Sequence, residues 1–367
     1  MLSAHRRVTF LACRPDAREH EIVTQRCLAR RLATLIGCAF GETDGNGAAP
    51  DGGFGYVVPN ETLTSLDRAR AFGIAGEDDL FGGVVPHPFV ATKTITHPLV
   101  EADAAAPPGW SHAFADRVRD VVLPGFAAFS LHDAATAGRR LLAGGAVRIK
   151  LACGIGGSGQ SVARDTAELD AQLGALEAAE IARHGLVVER NLDEIRTYSV
   201  GQVRVGSMLA SYYGTQCATR NRHGHEVYGG STLTVAPGGL ETLGRIAPDE
   251  GVRRAVAQAR TYHAAALACF DGMFASRANY DVAAGHDADG RPHAGVLEQS
   301  WRIGGASGAE IAALEAIAAD PGLDTVQAST VEMHGPDQTP PDGAVVYFAG
   351  VDDHLGPITK YAVLQRR

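Results

Sequence analysis

The stretch from Val147 to Gln160, VRIKLACGIGGSGQ, decides how this sequence is interpreted. A short β-branched strand ends at Lys150, and a turn with four closely spaced glycines follows. Glycine allows positive φ and close approach of the backbone to a ligand. Successive N–H groups in such a turn form an anion site, to which a lysine adds a full charge. The stretch indicates either a phosphate-binding flap or a flexible hairpin turn, because glycine patterns alone are weak evidence. The candidate phosphate-binding residues are Lys150, Gly154, Gly156, Gly157, Ser158 and Gly159.

Two better-known glycine motifs fit this stretch poorly. Gly154, Gly156 and Gly159 match the G-x-G-x-x-G pattern of dinucleotide sites. Lys150 directly before the turn, and the position in mid-chain, do not suit a nicotinamide site. A P-loop needs Gly-Lys-Ser/Thr after its first glycine, and that tripeptide does not occur here. What remains is a strand lysine followed by a glycine-rich flap.

Composition narrows the possible classes of protein. A chain of 367 residues predicts two or three α/β subdomains. The formal net charge of −9 argues against nucleic acid or an anionic membrane as the main partner. No apolar run approaches the roughly 20 residues of a membrane helix, and the first residues resemble a strand rather than a signal peptide. Six scattered cysteines without a C-x-x-C pair predict reduced thiols in a cytoplasmic protein.

The N-terminal 90 residues alternate between strand and helix patterns, which predicts a small parallel sheet. The expected elements are a strand at 8–13, a helix at 19–36, a loop at 41–53, a strand at 55–58 and a helix at 62–72. Four units follow from the whole chain. They are an N-terminal α/β domain at 1–90, a flap subdomain at 91–186, a subdomain with the hinge and metal site at 187–320, and a C-terminal extension at 321–367.

Six further segments carry specific expectations. A helix at 133–142 begins with Asp133, which is suited to cap it. A single long helix is expected at 165–182, and others at 248–270 and 309–317. Residues 214–239 are expected to form a long polar loop, and residues 321–343 are rich in turns.

Lys93 and Glu189 are the next candidates for contact with a nucleotide. Lys93 is placed to reach the phosphates from the side opposite to Lys150, although a solvated surface lysine explains it equally well. Glu189 ends the apolar strand GLVVER, and an acceptor at the end of such a strand suits an adenine or ribose. The alternative for Glu189 is an exposed glutamate that begins a loop.

A predicted hairpin carries one carboxylate on each arm, Asp281 and Glu298. Two carboxylates that face the same way on paired strands are suited to hold Mg²⁺ against phosphate oxygens. The alternative is a pair of exposed strand carboxylates. Arg302 would bring a positive charge to the same place. Asp287 and Asp289 are explained by the hairpin turn itself.

The polar segment 214–239 supplies candidates for substrate binding. Arg220 and Arg222 carry guanidinium groups that match a carboxylate or phosphate, and Tyr228 lies in the same segment. A long polar loop is often functional. His223 and His225 form a possible metal pair, but the sequence offers no evident third ligand.

Taken in order, these features resemble the ATP-grasp superfamily. That family has a strand lysine with a glycine-rich flap, an apolar strand ending in glutamate, and a hairpin with Mg²⁺ carboxylates. Its last motif commonly runs Glu-x-Asn-x-Arg and then Gly-Gly. The segment LEQSWRIGG matches it at Glu298, Arg302, Gly304 and Gly305, and departs from it at Ser300. The chain looks like a proteobacterial group of ATP-grasp-like proteins.

The resemblance implies a fold and a set of contacts. The fold class is α/β, with α+β in the C-terminal part, as an ATP-grasp fold preceded by a pre-ATP-grasp α/β domain. Lys93 and Lys150 would contact the phosphates of ATP, and Glu189 would contact the adenine and ribose. Glu194 is the nearest residue for a second acidic contact, although its register is off. Mg²⁺ would be held by Asp281, Glu298 and, weakly or through water, Ser300, and a homodimer is the family's common assembly.

The implied activity is that of an ATP-dependent carboxylate–amine ligase, with Lys150 and Arg302 as catalytic residues. A substrate carboxylate would attack the γ-phosphate of MgATP, and a nucleophile would then displace phosphate from the acyl phosphate. One alternative is a phosphotransferase on the same scaffold. Another is a nucleotide-binding protein without catalysis, which the serine at position 300 favours.

Overall fold

The computed structural model describes residues 7–46, 53–152, 159–222, 224, 226–336 and 338–365. These residues form helices around a parallel sheet of three strands, an antiparallel sheet of four strands and a mainly C-terminal sheet of eight strands. This architecture confirms the predicted class, α/β with α+β in the C-terminal part.

The N-terminal unit has the parallel sheet that the sequence predicts. Its elements are β1 (Arg7–Leu11), α1 (Glu19–Leu35), β2 (Ala39–Thr43), β3 (Tyr56–Pro59), α2 (Leu66–Ala71) and the two-residue β4 (Gly83–Val84). The strand order is β2-β1-β3, and both pairings are parallel. The expected loop at 41–53 is wrong in its first three residues, which belong to β2. No residue of this edge strand is fully buried, so its sequence lacks the apolar pattern that marks a buried strand.

The second unit carries the lysine strand. Its elements are α3 (His112–Val118), β5 (Gly125–Ala128), α4 (Leu131–Leu142), β6 (Val147–Leu151), β7 (Gln160–Ala163), α5 (Thr166–Gly174), α6 (Ala178–His184) and β8 (Leu186–Arg190). Two turns of 3₁₀-helix, Pro88–Ala91 and Lys93–Thr96, precede it. The sheet has the order β5-β8-β6-β7 with antiparallel pairs throughout.

Two predictions for helices in this unit are wrong. The single helix expected at 165–182 is two helices, α5 and α6. Gly174 ends the first of them, since glycine lowers helix stability, and Leu176 in the break packs against the core. The cap of α4 is Ser130, whose hydroxyl accepts a hydrogen bond from the Asp133 backbone N–H, so Asp133 lies inside the first turn.

The eight-stranded sheet dominates the rest of the chain. Its strands and the associated elements are β9 (Asp193–Val205), β10 (Met208–Arg220), β11 (Glu226–Pro237), α7 (Leu243–Ile246), α8 (Glu250–Cys269), β12 (Phe274–Ala275), β13 (Arg277–His286), β14 (Pro292–Ser300), α9 (Ser307–Ala319), β15 (Val326–His334), β16 (Val345–Asp352) and β17 (Gly356–Leu364). The order is β14-β13-β9-β10-β11-β15-β17-β16, and every pairing is antiparallel. The short β12 pairs instead with β4.

The long loop expected at 214–239 is wrong, because most of it forms the hairpin of β10 and β11. The two strands stay paired as far as Arg220 and Glu226. Polar and glycine residues are tolerated because backbone hydrogen bonds hold the pairing. Likewise, the turn-rich segment 321–343 contains β15, and residues 321–367, expected as a C-terminal extension, add β15, β17 and β16 to the same sheet.

Helix α9 joins the N-terminal unit to the large sheet. Ile311 and Leu314 are fully buried in a cluster that also contains Leu32 of α1 and Leu233 of β11. The helix is buried on more than one side and therefore lacks a polar face over its first half. No helix in the described ranges combines the length and apolar character that a membrane crossing needs.

Truncation of Leu314 tests this central packing. Leu314→Ala should lower the free energy of unfolding by about 2–5 kcal/mol, because a fully buried side chain leaves a cavity. The matched control is Leu267→Ala in α8, where the leucine is 38% exposed and the loss should stay below about 1 kcal/mol. Urea unfolding of both variants measures the difference, and equal losses would contradict the central position of α9.

Candidate active site

Lys150 and Glu189 lie on neighbouring strands of the smaller antiparallel sheet and form a buried ion pair. Lys150 Nζ is 2.5 Å from Glu189 Oε1, and both side chains are almost fully buried. Burial alone would raise the pKa of Glu189. The Lys150 ammonium and a hydrogen bond from His97 lower that pKa to about 2 instead. The lysine is thus held in a fixed position by a carboxylate that remains ionised.

His97 is a member of this cluster that the sequence analysis missed. Its ring is fully buried, with Nε2 3.2 Å from Glu189 Oε2. A Cβ built at Gly125 would lie 2.8 Å from His97 Cε1 and 3.0 Å from Glu189 Cβ. A glycine is therefore needed opposite the pair. The position of the histidine, four residues after Lys93, was the available signal.

The carboxylate hairpin forms as predicted. Asp281 of β13 and Glu298 of β14 are direct cross-strand partners, and the register shifts immediately after them. Burial and the neighbouring Glu298 carboxylate raise the pKa of Asp281 to about 6. Asn279 Nδ2 donates to Asp281 Oδ1 at 2.9 Å. A buried carboxylate that faces a second carboxylate is suited to share a divalent cation with it, so these residues fit a Mg²⁺ site.

Asp281 and Glu298 would supply only part of the coordination shell of a metal ion. Within the described ranges, no three His, Cys, Asp or Glu side chains come together as a metal-binding group. A cation between Asp281 and Glu298 would therefore take its remaining ligands from water or from a bound anion. Such an open coordination shell is the usual state of Mg²⁺ at phosphate sites.

Lys93 connects the two clusters. Its Nζ is 2.9 Å from Glu298 Oε2, and its side chain is almost fully buried rather than solvated. The same 3₁₀ turn leads directly to His97, which contacts Glu189. Gln299 holds the segment before this turn by donating to the carbonyl oxygens of Val90 and Thr92.

The segment after the hairpin turns toward the N-terminal unit. Arg302 Nε is 3.2 Å from Glu61 Oε1, two residues beyond β3. Ser300 Oγ accepts a hydrogen bond from Arg277 Nη1 at 3.1 Å. Arg277 was not recognised in the sequence, where it gives no signal besides its place at the start of a strand.

The structure brings only one of the three predicted substrate residues to this segment. The ring of Tyr228 packs against Gly305, where an added Cβ would lie 2.8 Å from it, and burial raises the pKa of the tyrosine. Arg220 donates to the Gly224 carbonyl and Arg222 to the Asp353 carbonyl, near the tip of the hairpin. No contact among the described residues joins either arginine to Lys150 or Glu298.

Glu194 lies apart from the lysine cluster. Its side chain is largely exposed and faces His286, with Oε2 3.5 Å from Nδ1. Its φ of 51° places it in a tight turn at the beginning of β9.

The flap residues Gly154, Gly156, Gly157 and Ser158, as well as His223 and His225, lie outside the described residues. Gly159, at the end of the flap, has a φ of 68° and accepts a hydrogen bond from the Leu151 N–H.

Asp287 ties the turn of the carboxylate hairpin to the strand that carries Glu189. Its side chain accepts hydrogen bonds from the backbone of Asp289 and Arg291, which confirms its role in the turn. It also lies 2.9 Å from His293 Nε2 and 3.3 Å from Arg190 Nη1. The backbone bond from Arg291 and the bond from His293 lower the pKa of Asp287 to about 2.

One protein-family model matches most of the chain. The model of a family described as protein of unknown function (DUF3182) matches residues 8–362. The chain belongs to this family. No curated protein matches it.

Among solved structures, the biotin carboxylase domain of Hydrogenobacter thermophilus 2-oxoglutarate carboxylase is 13% identical to this family member, with a TM-score of 0.55. That match covers 98% of this chain and 86% of the other, which was solved with MgADP, ADP and bicarbonate. Pyruvate carboxylase of Rhizobium etli gives 12% identity and a TM-score of 0.52, over 99% of this chain and 36% of the other. The DUF3182 chain therefore has the ATP-grasp fold.

The effect of acid on stability tests the buried ion pair. The folded pKa of Glu189 lies below its ordinary value of 4.5, so the ionised carboxylate stabilises the fold above that pH. Protonation removes this stabilisation as the pH falls toward 2. The free energy of unfolding of the wild-type protein should exceed that of the Glu189→Gln variant by on the order of 3 kcal/mol near neutral pH. This difference should shrink below about pH 4.5.

Denaturant unfolding between pH 3 and pH 7 measures this difference. The control is Glu101→Gln, which removes an exposed carboxylate paired with Arg140 and should change stability little at any pH. A gap between wild type and Glu189→Gln that is the same at every pH would contradict the ion pair.

Proposed function

We propose that this DUF3182 protein is an ATP-dependent ligase. It activates a carboxylate substrate as an acyl phosphate and transfers the acyl group to an amine or related nucleophile, with release of ADP and phosphate. The observation that carries the proposal is the linkage of two clusters. Asp281 pairs across the strands with Glu298, which contacts Lys93, and the turn that begins with Lys93 leads along the chain to His97. His97 and Lys150 both contact Glu189. The two buried lysines, Lys93 and Lys150, and the two carboxylates suited to a metal therefore lie on elements that contact one another.

The two lysines are suited to bind the phosphates of ATP. Each ammonium is paired with a carboxylate, Lys150 with Glu189 and Lys93 with Glu298, so each is held in position before a ligand arrives. Pre-positioned charges contribute to phosphoryl transfer because little reorganisation is needed when charge develops. Gly159 and the flap that precedes it would cover the phosphates and exclude water, which protects an acyl phosphate from hydrolysis.

The reaction consists of two displacements. In the first, a carboxylate oxygen of the substrate attacks the γ-phosphorus, the bond to the β-phosphate oxygen breaks, and ADP leaves with its electron pair. In the second, the nucleophile attacks the acyl carbon, inorganic phosphate leaves, and the nucleophile loses a proton. Lys150, Lys93 and Arg302 orient the anionic groups in both steps. A Mg²⁺ held by Asp281 and Glu298 would neutralise phosphate charge.

The proposed substrate is a small molecule with a carboxylate. Arg302 lies beside Gly304 and the ring of Tyr228 beside Gly305, so both are candidates to orient an acid next to the nucleotide. We extend the proposal to a cytoplasmic protein that assembles as a homodimer.

Nucleotide binding is the first prediction of this proposal. ADP with Mg²⁺ at a hundredfold excess over its Kd should raise the free energy of unfolding by about 2.7 kcal/mol. Lys150→Ala and Lys93→Ala should lose most of this stabilisation. The matched control is Lys360→Ala, because Lys360 is equally buried and paired with Glu332 but lies outside the proposed site. Thermal unfolding with and without ligand measures the effect, and full stabilisation of Lys150→Ala would refute the nucleotide site.

The fate of the phosphoryl group tests the chemistry. Incubation with ATP, a panel of carboxylic acids and hydroxylamine should give a hydroxamate together with equal amounts of ADP and free phosphate, because hydroxylamine traps an acyl phosphate. Lys150→Ala should reduce this rate about 100-fold or more. A product that retains the phosphoryl group as a stable ester would identify a phosphotransferase instead.

A further inference from the structure

The predicted third metal ligand, Ser300, is already engaged by a cation. Arg277 is 1% exposed, and its Nη1 lies 3.1 Å from Ser300 Oγ, 3.1 Å from the Ser300 carbonyl oxygen and 2.7 Å from the Arg302 carbonyl oxygen. The serine hydroxyl oxygen therefore accepts a hydrogen bond from a guanidinium group at the place where a metal would need it.

This guanidinium is held permanently in its charged form. Arg277 Nη2 is 2.7 Å from Glu310 Oε1, and its Nε is 3.1 Å from both oxygens of the same carboxylate. Glu310 is fully buried and also lies 2.5 Å from the hydroxyl of Tyr212. An arginine does not lose its proton in a protein, and this one is charge-balanced and bonded on every side of its planar group.

The side-chain amide of Asn279, which lies next to Ser300, also takes part in hydrogen bonds. Asn279 pairs across the strands with Ser300. It points its Nδ2 at Asp281 Oδ1 at 2.9 Å, and its Oδ1 is 2.9 Å from the Tyr212 hydroxyl. The two uncharged side chains beside the carboxylates are thus both committed to hydrogen bonds.

A metal bound to Ser300 would lie too close to this positive charge. With a Mg–O distance of about 2.1 Å and the 3.1 Å hydrogen bond, a cation on Ser300 Oγ would lie at most about 5 Å from Arg277 Nη1. Two like charges at that separation in a buried site repel strongly, since little water screens them. By contrast, Glu298 is 39% exposed and faces Asp281, so a cation between them can keep water or phosphate ligands.

We propose that this site binds one divalent cation, between Asp281 and Glu298, and that Arg277 is a fixed positive charge where Ser300 would otherwise hold a second cation. This inference rests on the proposed function, because it concerns the metal that accompanies the nucleotide. It removes Ser300 from the metal ligands and gives the buried Arg277–Glu310 pair a role in limiting metal occupancy.

The experiment counts bound Mn²⁺ by the loss of the free-ion electron paramagnetic resonance signal, with the whole chain and saturating ADP. Wild type should bind one Mn²⁺ per chain in total, the ion shared with protein-bound ADP, after the Mn²⁺ held by unbound ADP is subtracted with a protein-free control. Asp281→Asn and Glu298→Gln should each weaken binding at least tenfold. Ser300→Ala should bind one Mn²⁺ with an affinity within about twofold of wild type.

Ser300→Asn separates the two parts of the inference. It introduces an amide oxygen while Arg277 stays in place, so binding should remain at one Mn²⁺ per chain. Ser211→Ala removes a buried hydroxyl that donates to the Gly238 carbonyl, and reports the stability cost of losing a buried serine hydroxyl elsewhere in the same sheet.

Each other outcome overturns a stated part of the inference. Two Mn²⁺ per wild-type chain, with the second lost in Ser300→Ala, would overturn it and leave the proposed function standing. A second Mn²⁺ in Ser300→Asn would show that the serine rather than Arg277 limits occupancy. No protein-bound Mn²⁺ and no ADP binding would overturn both the inference and the proposed function.

Discussion

A buried carboxylate shared between a lysine and a histidine fixes the arrangement of the whole site. Removing charges from water is costly, so a buried ion pair persists only where every oxygen and ammonium hydrogen finds a partner. Both oxygens of Glu189 have such a partner, Lys150 on one and His97 on the other. Because His97 follows the turn that carries Lys93, the same carboxylate sets the distance between the two lysines. Gly125 is part of the constraint, since any side chain there would displace the histidine.

Hydrogen bonds between uncharged groups hold the 3₁₀ turn of Lys93 against the hairpin of β13 and β14. Gln299, next to Glu298, donates to two carbonyl groups of the segment that leads to Lys93, and accepts a hydrogen bond from Tyr262. The hydroxyl of Tyr262 also contacts Thr96. Two residues after Gln299, just past the end of β14, the Trp301 indole donates to Tyr280, and both are fully buried. Alternation along β14 therefore aims one residue at the cation site and the next at the core, so packing and chemistry are set by the same strand.

The sequence predicted the features that neighbouring residues mark. It did not predict strands without a side-chain pattern or contacts between residues that are far apart in the chain. Lys150 lies near the end of a short β-branched strand, and Asp281 and Glu298 lie on a hairpin whose turn is marked by Asp287 and Gly290. Strand β2 and the hairpin of β10 and β11 lack such a pattern, because backbone pairing rather than side-chain pattern stabilises them. His97 and Arg277 act through partners 92 and 33 positions away, Glu189 and Glu310. No spacing rule in a single sequence predicts contacts of that range.

The balance of charge in the site explains why one divalent cation suits it better than two. Lys150, Lys93, Arg277 and Arg302 are paired with Glu189, Glu298, Glu310 and Glu61, respectively. Among the described residues this leaves Asp281 as the carboxylate of the site that contacts no cationic side chain. Burial together with the Glu298 carboxylate already disfavours its ionised form. One divalent ion would offset that charge and leave a single positive excess for the polyphosphate. A second ion would add two more charges beside Arg277, with no further carboxylate of the site to balance them. The buried arginine therefore limits the site to the charge that its carboxylates can hold.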